Sequence, residues 1–242
     1  LMLLVEKRVS DRRVLKLLRQ WLKAGVLVEG RREGTELGSP QGGVISPLLA
    51  NIYLDVLDLL WERQCRHLGE LVRYADDAVV LCRSKADAAE SLRRLGLIMG
   101  RLGLKLHPDK TRVVELGLGK QGFVFLGCYL RIVLSHFKGR EYLFRWPSPR
   151  AMNRIRARIR ELTDRRRWAG LKDIKQVIDV LNPVLRGWGN YFRTGNADRE
   201  FNRIDSYAYR RVVRWMQRRG GQRARGRAGR GRPRLDRTRA GR

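Results

Sequence analysis

Two adjacent carboxylates, Asp76 and Asp77, interrupt the stretch Leu71–Cys82, LVRYADDAVVLC. Ionised carboxylates do not enter a core without partners, so the chain has to turn where they stand. The flanking segments ELVRY and AVVLC are of strand length and rich in β-branched and apolar residues. The spacing predicts a tight hairpin with both acids at its tip. A solvated turn that merely carries charge is the plain alternative. Like charges side by side repel unless a cation lies against them. An oxygen-only pair without His or Cys suits a hard ion, above all Mg2+, which binds through one or two carboxylates together with substrate phosphates.

The acids stand out because the rest of the chain is so basic. Of 242 residues, 53 are Lys or Arg against 24 Asp or Glu, a formal charge of +29. Such a field attracts polyanions, nucleic acid first among them. No stretch approaches the ~20 apolar residues that cross a bilayer, and none reads as a signal peptide, so no membrane partner is expected and the location expected is cytoplasmic or nucleoid-associated. Cys65, Cys82 and Cys128 are scattered and His67, His107 and His136 isolated, which supports neither a disulfide framework nor a zinc site. A polyanion-binding chain with a fixed acid pair points to metal-assisted phosphoryl or nucleotidyl transfer.

Periodicity organises the remainder. SDRRVLKLLRQWLKAG predicts a helix capped by Ser10, with Val14, Leu17, Leu18, Trp21 and Leu22 on its apolar face and Gly25 at its end. EGRREGTELGSPQGG reads as a loop. SPLLANIYLDVLDLLWERQ predicts a well-buried helix with Ser46 at the N-cap and Pro47 at the first position. SKADAAESLRRLGLIMGRLG predicts another, Ser84 and Asp87 standing at capping-box spacing. LKLHPDKTRVVEL, GFVFLGCYLRIVL and EYLFRWP read as strands joined by turns. The first half is therefore expected to be an α+β layer, an antiparallel sheet with helices packed behind it.

After Trp146-Pro147 the pattern turns wholly helical, and the expected domain junction lies there. Ser148 and Pro149 start a helix with Met152, Ile155, Ile159 and Leu162 as its stripe. A second runs through LKDIKQVIDVLNPVLRGWGNYF, expected to kink or break at Pro183. A third buries Phe201, Ile204, Ala208, Val212 and Trp215. Residues 220–242 are Arg/Gly-rich and nearly devoid of apolar side chains, hence an expected disordered tail.

Several blocks then carry a resemblance. YADD, Tyr74 to Asp77, resembles the Y-x-D-D box of reverse transcriptases. GSPQGGVISPLLANIYLDVLD before it resembles the P-Q-G block of group II intron reverse transcriptases, and GLKLHPDKT after it the family's next block. FVFLGCYL is similar to the primer-grip strand, and VLNPVLRGWGNYFR to the maturase-specific segment. The five blocks stand in the family's order, from the start of the chain to about residue 220. The chain thus resembles a bacterial-type group II intron reverse transcriptase/maturase.

The resemblance implies a fold and roles. Residues 1–147 would be a partial polymerase palm, 148–219 the helical thumb or maturase (X) domain, and 220–242 the basic tail. Asp76 and Asp77 would be palm carboxylates holding Mg2+ against deoxynucleotide phosphates. Tyr74 and Ala75, with Pro40, Gln41 and Gly42, would line the nucleotide and template pocket. Lys110 would stand by the leaving pyrophosphate. Phe125, Leu126 and Gly127 would lie under the primer strand. Arg154, Arg158, Arg165, Arg166, Arg186 and Arg193 would contact group II intron RNA or an RNA template with its DNA primer. Trp188, Tyr191 and Phe192 would stack on bases or, at helical spacing, pack in the core.

One family element has no match. The family carries a further catalytic Asp on a palm strand upstream of the Ser10 helix, and Glu6 does not stand in its context. The expectation is a chain that polymerises DNA only with a missing N-terminal part, the alternative being an RNA-binding splicing cofactor, or a decayed fragment, without chemistry of its own.

Overall fold

The computed structural model describes residues 1–23, 26–28, 31–33, 45–135, 139–164, 166 and 174–219. Pro40, Gln41, Gly42, Gly25, His136, Arg165 and the tail from 220 lie outside them. The chain divides into two compact units, Leu1–Val113 and Val114–Arg242. It mixes helices with small antiparallel sheets.

The first unit holds α1 (Met2–Glu6), α2 (Arg12–Lys23), the β1–β2 hairpin (Val26–Val28, Arg31–Glu33), α3 (Ser46–Gln64), the β3–β4 hairpin (Glu70–Tyr74, Asp77–Leu81) and α4 (Lys85–Arg101). Helix α3 serves two small cores. Its N-terminal half packs Leu49 with Val5, Leu15 and Leu18 of α1 and α2. Its C-terminal half packs Leu57 and Trp61 with Cys65, Leu68 and Ile98 of α4, and the half-buried Leu71 and Val80 bring the β3–β4 hairpin onto that core. Two polar ties fix it: Trp61 Nε1 donates to the Gly69 carbonyl at 2.9 Å and the Tyr53 hydroxyl to the Leu102 carbonyl at 2.7 Å. Gly69 admits no side chain, since a Cβ there would stand 2.5 Å from the Leu81 oxygen of the partner strand.

The second unit joins a three-stranded sheet, β5 (Phe123–Phe125), β6 (Cys128–Leu134) and β7 (Glu141–Pro147), to α5 (Pro149–Leu162), α6 (Ile174–Phe192) and α7 (Asp198–Arg219). The helices meet through Met152, Ile155, Ile159 and Leu162 of α5, Leu181 and Leu185 of α6, and Ile204, Ala208 and Val212 of α7. Sheet and helices share a second cluster around Phe192, Ala197 and Phe201, with Cys128 and Trp146 against it. The Asn196 amide donates to the Arg145 carbonyl at 2.7 Å and the Ser148 amide to the Gly127 carbonyl at 2.9 Å. This shared packing is why the compact units divide at 113/114, while the change of sequence character at 147 falls inside the second.

The caps at Ser84 and Ser148 form as expected, accepting from the Asp87 amide at 3.1 Å and the Ala151 amide at 3.2 Å. The stripes of α5 and α7 are buried as the spacing predicts. Elsewhere the structure corrects the sequence reading. Asp11, not Ser10, caps α2, accepting from the Arg13 amide at 2.7 Å; a carboxylate complements the helix dipole better than a hydroxyl. That helix buries Leu15 and Leu18 and leaves Val14, Leu17 and Trp21 exposed. Helix α3 starts one residue early, with Ile45 at its N-cap, and leaves Leu48 exposed. Arg31–Glu33, read as loop, pairs with β1.

Two larger corrections concern strands. LKLHPDKTRVVEL forms none: the His107 carbonyl accepts from the Lys110 and Thr111 amides at 3.2 and 3.0 Å, closing a turn at Pro108. GFVFLGCYLRIVL is not one strand but two, with Phe125 paired to Cys128 across a Leu126-Gly127 turn. Among the described residues the strands pair into three small sheets, not one. Helix α6 continues through Pro183. Pro183 and Asp179 one turn before it are exposed, so the proline lies on the solvent side of the helix, where losing one backbone hydrogen bond costs least.

Leu181 is fully buried between Ile159, Leu185 and Ile204. Leu181→Ala should therefore destabilise the helical unit by about 3 kcal/mol, read as a lower urea midpoint in helix-sensitive circular dichroism. An unchanged midpoint would show that this cluster is not the core.

Candidate functional site

The acid pair sits where the hairpin turns. Tyr74 pairs with Asp77, so Ala75 and Asp76 alone connect the strands. Asp76 lies in the turn and Asp77 is the first residue of β4. Both are exposed. Ala75 holds a positive φ of 53°, a conformation that favours glycine. Non-glycine residues so placed gather at functional sites.

Arg73 holds this turn. Along β3 the inward positions are Leu71 and Arg73, while Glu70, Val72 and Tyr74 face outward. Cross-strand pairing puts Tyr74 and Asp77 on that outward face, away from α3. The Arg73 side chain is 12% exposed. Its Nε donates to Asp58 Oδ1 at 2.8 Å, and its Nη2 also bonds the Asp58 carboxylate. Its Nη1 donates to Asn51 Oδ1 at 3.0 Å and to the Ala75 carbonyl at 2.8 Å. Asn51 and Asp58 stand two turns apart on α3, hence on one face. The hydrogen bond to Asp58, opposed by burial, holds the guanidinium above its ordinary pKa. A bidentate fork of this kind fixes geometry as well as charge.

The arrangement holds the Arg73 guanidinium on Asp58 and away from Asp76 and Asp77. In a chain with 53 Lys and Arg, neither acid bonds to a described side chain, and the nearest-placed arginine in sequence, Arg73, is bound to Asp58 instead. The two carboxylates fit a hard divalent ion that completes its shell with phosphate and water. Among the described residues no group of three or more His, Cys, Asp or Glu could hold a metal. Lys110 is exposed in the turn after Pro108.

The second unit holds the other predicted residues. Leu126 and Gly127 both have positive φ, 48° and 76°, the backbone of a type I′ hairpin turn. Asn-Gly is the usual occupant, and a leucine there is strained. The turn is tied on both carbonyls: Gly127 accepts from the Ser148 amide at 2.9 Å and Leu126 from the Tyr191 hydroxyl at 2.9 Å. Phe192 is buried and Trp188 half-buried, their rings 5.1 Å apart, so both serve the core. Tyr191 is 59% exposed. Among the predicted arginines, Arg154 and Arg193 are exposed, and Arg166 lies exposed just after α5. Arg158 pairs with Glu161 at 2.7 Å, and Arg186 also has a partner.

Sequence reasoning did not find Arg73, Asn51, Asp58 or the tie through Tyr191. A cationic residue at an inward position of a strand was the available signal for Arg73, and Asp58 seven residues after Asn51 the signal for its partners.

Residues 5–130 match the family model for reverse transcriptase (RNA-dependent DNA polymerase), and residues 152–232 that for the group II intron, maturase-specific domain. Relatives include protein YkfC of Escherichia coli, 31% identical over 63% of this chain and 48% of its own length. The 91 kDa protein in cob intron of Schizosaccharomyces pombe is 26% identical over 79% of this chain and 32% of its own length. The group II intron-encoded protein LtrA of Lactococcus lactis is 46% identical over 55 residues, 23% of this chain and 9% of its own length. The chain thus spans a third to a half of the longer-matching relatives. Among the described residues no helix is long and apolar enough to cross a membrane.

Arg73→Ala leaves Asp58 half-buried and without its guanidinium. We expect a loss of about 2 kcal/mol in the first unit, with faster amide exchange across Glu70–Leu81. Arg73→Lys should recover only part, since an ammonium cannot reproduce the fork. Exchange unchanged in Arg73→Ala would remove the clamp from the account. In the second unit, Tyr191→Phe should quicken exchange around Leu126-Gly127 while the helices melt as before.

Proposed function

This chain belongs to the group II intron reverse transcriptase/maturase family, and we propose that it binds group II intron RNA and supplies the acidic turn of a nucleotidyl-transfer site. The single observation that carries the reading is the pair Asp76 and Asp77, exposed at the end of a clamped hairpin in a strongly basic chain and bonded to no described side chain. A turn that receives phosphate through a metal has to keep its acids clear.

On this reading Asp76 and Asp77 hold Mg2+, the ion their all-oxygen donor set fits. When bound, the metal neutralises nucleotide phosphates and lowers the pKa of an attacking hydroxyl. The remaining work falls to the protein. Arg73 fixes the Ala75 carbonyl and so the direction of the turn. Tyr74 flanks Asp77 on the outward face, where a nucleotide would lie. Lys110 offers a cation for the leaving pyrophosphate; of Pro40, Gln41 and Gly42, which would line the nucleotide and template pocket, Gly42 would let backbone approach base and ribose and the Gln41 amide could both donate and accept.

The palm blocks fall within residues 1–147 and the thumb or maturase helices within 148–219. Phe125, Leu126 and Gly127 then act as the primer grip. Because Ser148 and Tyr191 tie their turn, grip and maturase helices work as one body. Arg154, Arg158, Arg166, Arg186 and Arg193, with Arg165 and the tail, offer RNA phosphate contacts. The site is proposed to become an RNA-directed DNA polymerase together with the family's further palm strand, acting on an RNA template, a DNA primer and deoxynucleotides.

The test is primer extension on an RNA template, with the chain alone and with a polypeptide supplying that palm strand. Extension should require the added strand and Mg2+. Asp76→Asn or Asp77→Asn should lower it on the order of a hundredfold or more while intron RNA binding persists. Extension by the Asp76→Asn/Asp77→Asn double variant would overturn the catalytic reading. Splicing support that survives the double variant, with no extension under any condition, would establish a binding role alone.

A further inference from the structure

Helices α5 and α7 border a groove of about 570 Å³ that no motif in the sequence marks. Arg156 of α5 lines one side; Arg199, Asn202, Arg203, Ser206, Tyr207 and Arg210 of α7 line the other. None of these belongs to the set of arginines that the sequence pattern brought forward.

The placement follows from helix geometry. On α7 the buried stripe runs Phe201, Ile204, Ala208, Val212. Residues 199, 202, 203, 206, 207 and 210 repeat at the same intervals of three and four, shifted round the axis to the flank beside that stripe. At 1.5 Å per residue, Arg199 to Arg210 extends roughly 16 Å. Four guanidiniums therefore stand along an elongated groove rather than around a point.

Their charges are poorly compensated from within. Arg156 is half-buried, and like Arg199 and Arg210 it forms no ion pair with a described residue. Among the described residues Arg203 pairs with Glu200 alone, at 3.5 Å. A half-buried guanidinium without an acid is costly unless an anion comes from outside. Asn202 and Ser206 add neutral donors, and the half-buried Tyr207 sets an aromatic face at the wall.

We propose that this groove is a binding site for a nucleic-acid backbone, several consecutive phosphates being taken along α7 by Arg199, Arg203 and Arg210, with Arg156 opposite. Its length exceeds one phosphate, which argues against a free anion or a single lipid headgroup. Guanidinium forks match phosphate oxygens bidentately, and hydroxyl and amide groups reach the sugar. The inference rests on the reading of the chain as an RNA binder and assigns part of that binding to a defined place.

The experiment measures affinity of the full chain for fluorescein-labelled oligo(A) RNA across a salt series. R199Q/R203Q/R210Q should weaken binding about tenfold and make the plot of log affinity against log salt shallower by about two units, near the loss expected for three single-strand phosphate contacts. R199K/R203K/R210K, with charge kept, should restore most of the slope. The charge-matched R63Q/R66Q/R101Q, on exposed residues of the first unit, should leave it nearly unchanged. Circular dichroism melting of each variant separates unfolding from lost contacts, and if the glutamine triple unfolds, the single variant R210Q should still lower the slope by more than R101Q does. Equal effects of the groove and control variants would overturn the groove. So would a groove variant that loses inorganic phosphate or phosphatidylserine vesicles but keeps RNA. No RNA binding by the unaltered chain would overturn the broader reading as well.

Discussion

The first unit depends on one guanidinium. A two-stranded hairpin is marginal alone, and β3–β4 has no third strand among the described residues. Leu71 and Val80 give it an apolar footing, but apolar contact does not set the direction of a turn. Arg73 does, because its planar head reaches a carboxylate and an amide oxygen on α3 and the Ala75 carbonyl at once. That also decides the electrostatics of the tip. The cation closest to Asp76 and Asp77 in sequence is bound on the inward face by Asp58, and the acids are left outward and exposed.

The second unit solves a different problem. Its helices carry many arginines and still need a core. The apolar residues are confined to narrow stripes that meet along α5, α6 and α7, and the arginines take the remaining faces. Thr163 shows how polar groups seal the bundle. Its hydroxyl donates to the Ile159 carbonyl at 2.7 Å and accepts from Arg211 Nε at 2.9 Å, so α7 is tied to the end of α5. The Leu126-Gly127 turn is held with equal care, and it and Ala75 supply the described non-glycine residues with positive φ. Both strained positions fall in blocks that carry the family resemblance.

What was legible in the sequence was local. Ser84 and Ser148 cap their helices because a hydroxyl two or three residues ahead of free amides has few better partners. The stripes of α5 and α7 follow from spacing alone, and the acid pair forces its own turn. What was not legible depended on distant partners or backbone detail. Residues 104–116 have strand-like composition, but a strand exists only where another backbone pairs with it. The Leu126-Gly127 turn lacks the usual Asn-Gly signal, and Tyr191, 65 residues along the chain, helps hold it. Pro183 was expected to disturb a helix that absorbs it on its wet side. Of the candidate site, the acids were readable; the arginine that aims them was not, because its meaning lies in Asn51 and Asp58.

The two flanks of α7 have a consequence for how this segment can vary. The buried stripe and the arginine row share one helical register, so they are phased by the same count of residues. Inserting or deleting a single residue between Arg199 and Trp215 would rotate everything beyond it by about 100°. Arginines would swing toward the core, and Val212 and Trp215 toward water. Substitutions within the row change charge one position at a time, but a change of length there damages stability and charge pattern together. Across those residues natural variation should therefore consist of replacements, with insertions and deletions confined to the connections outside the helix.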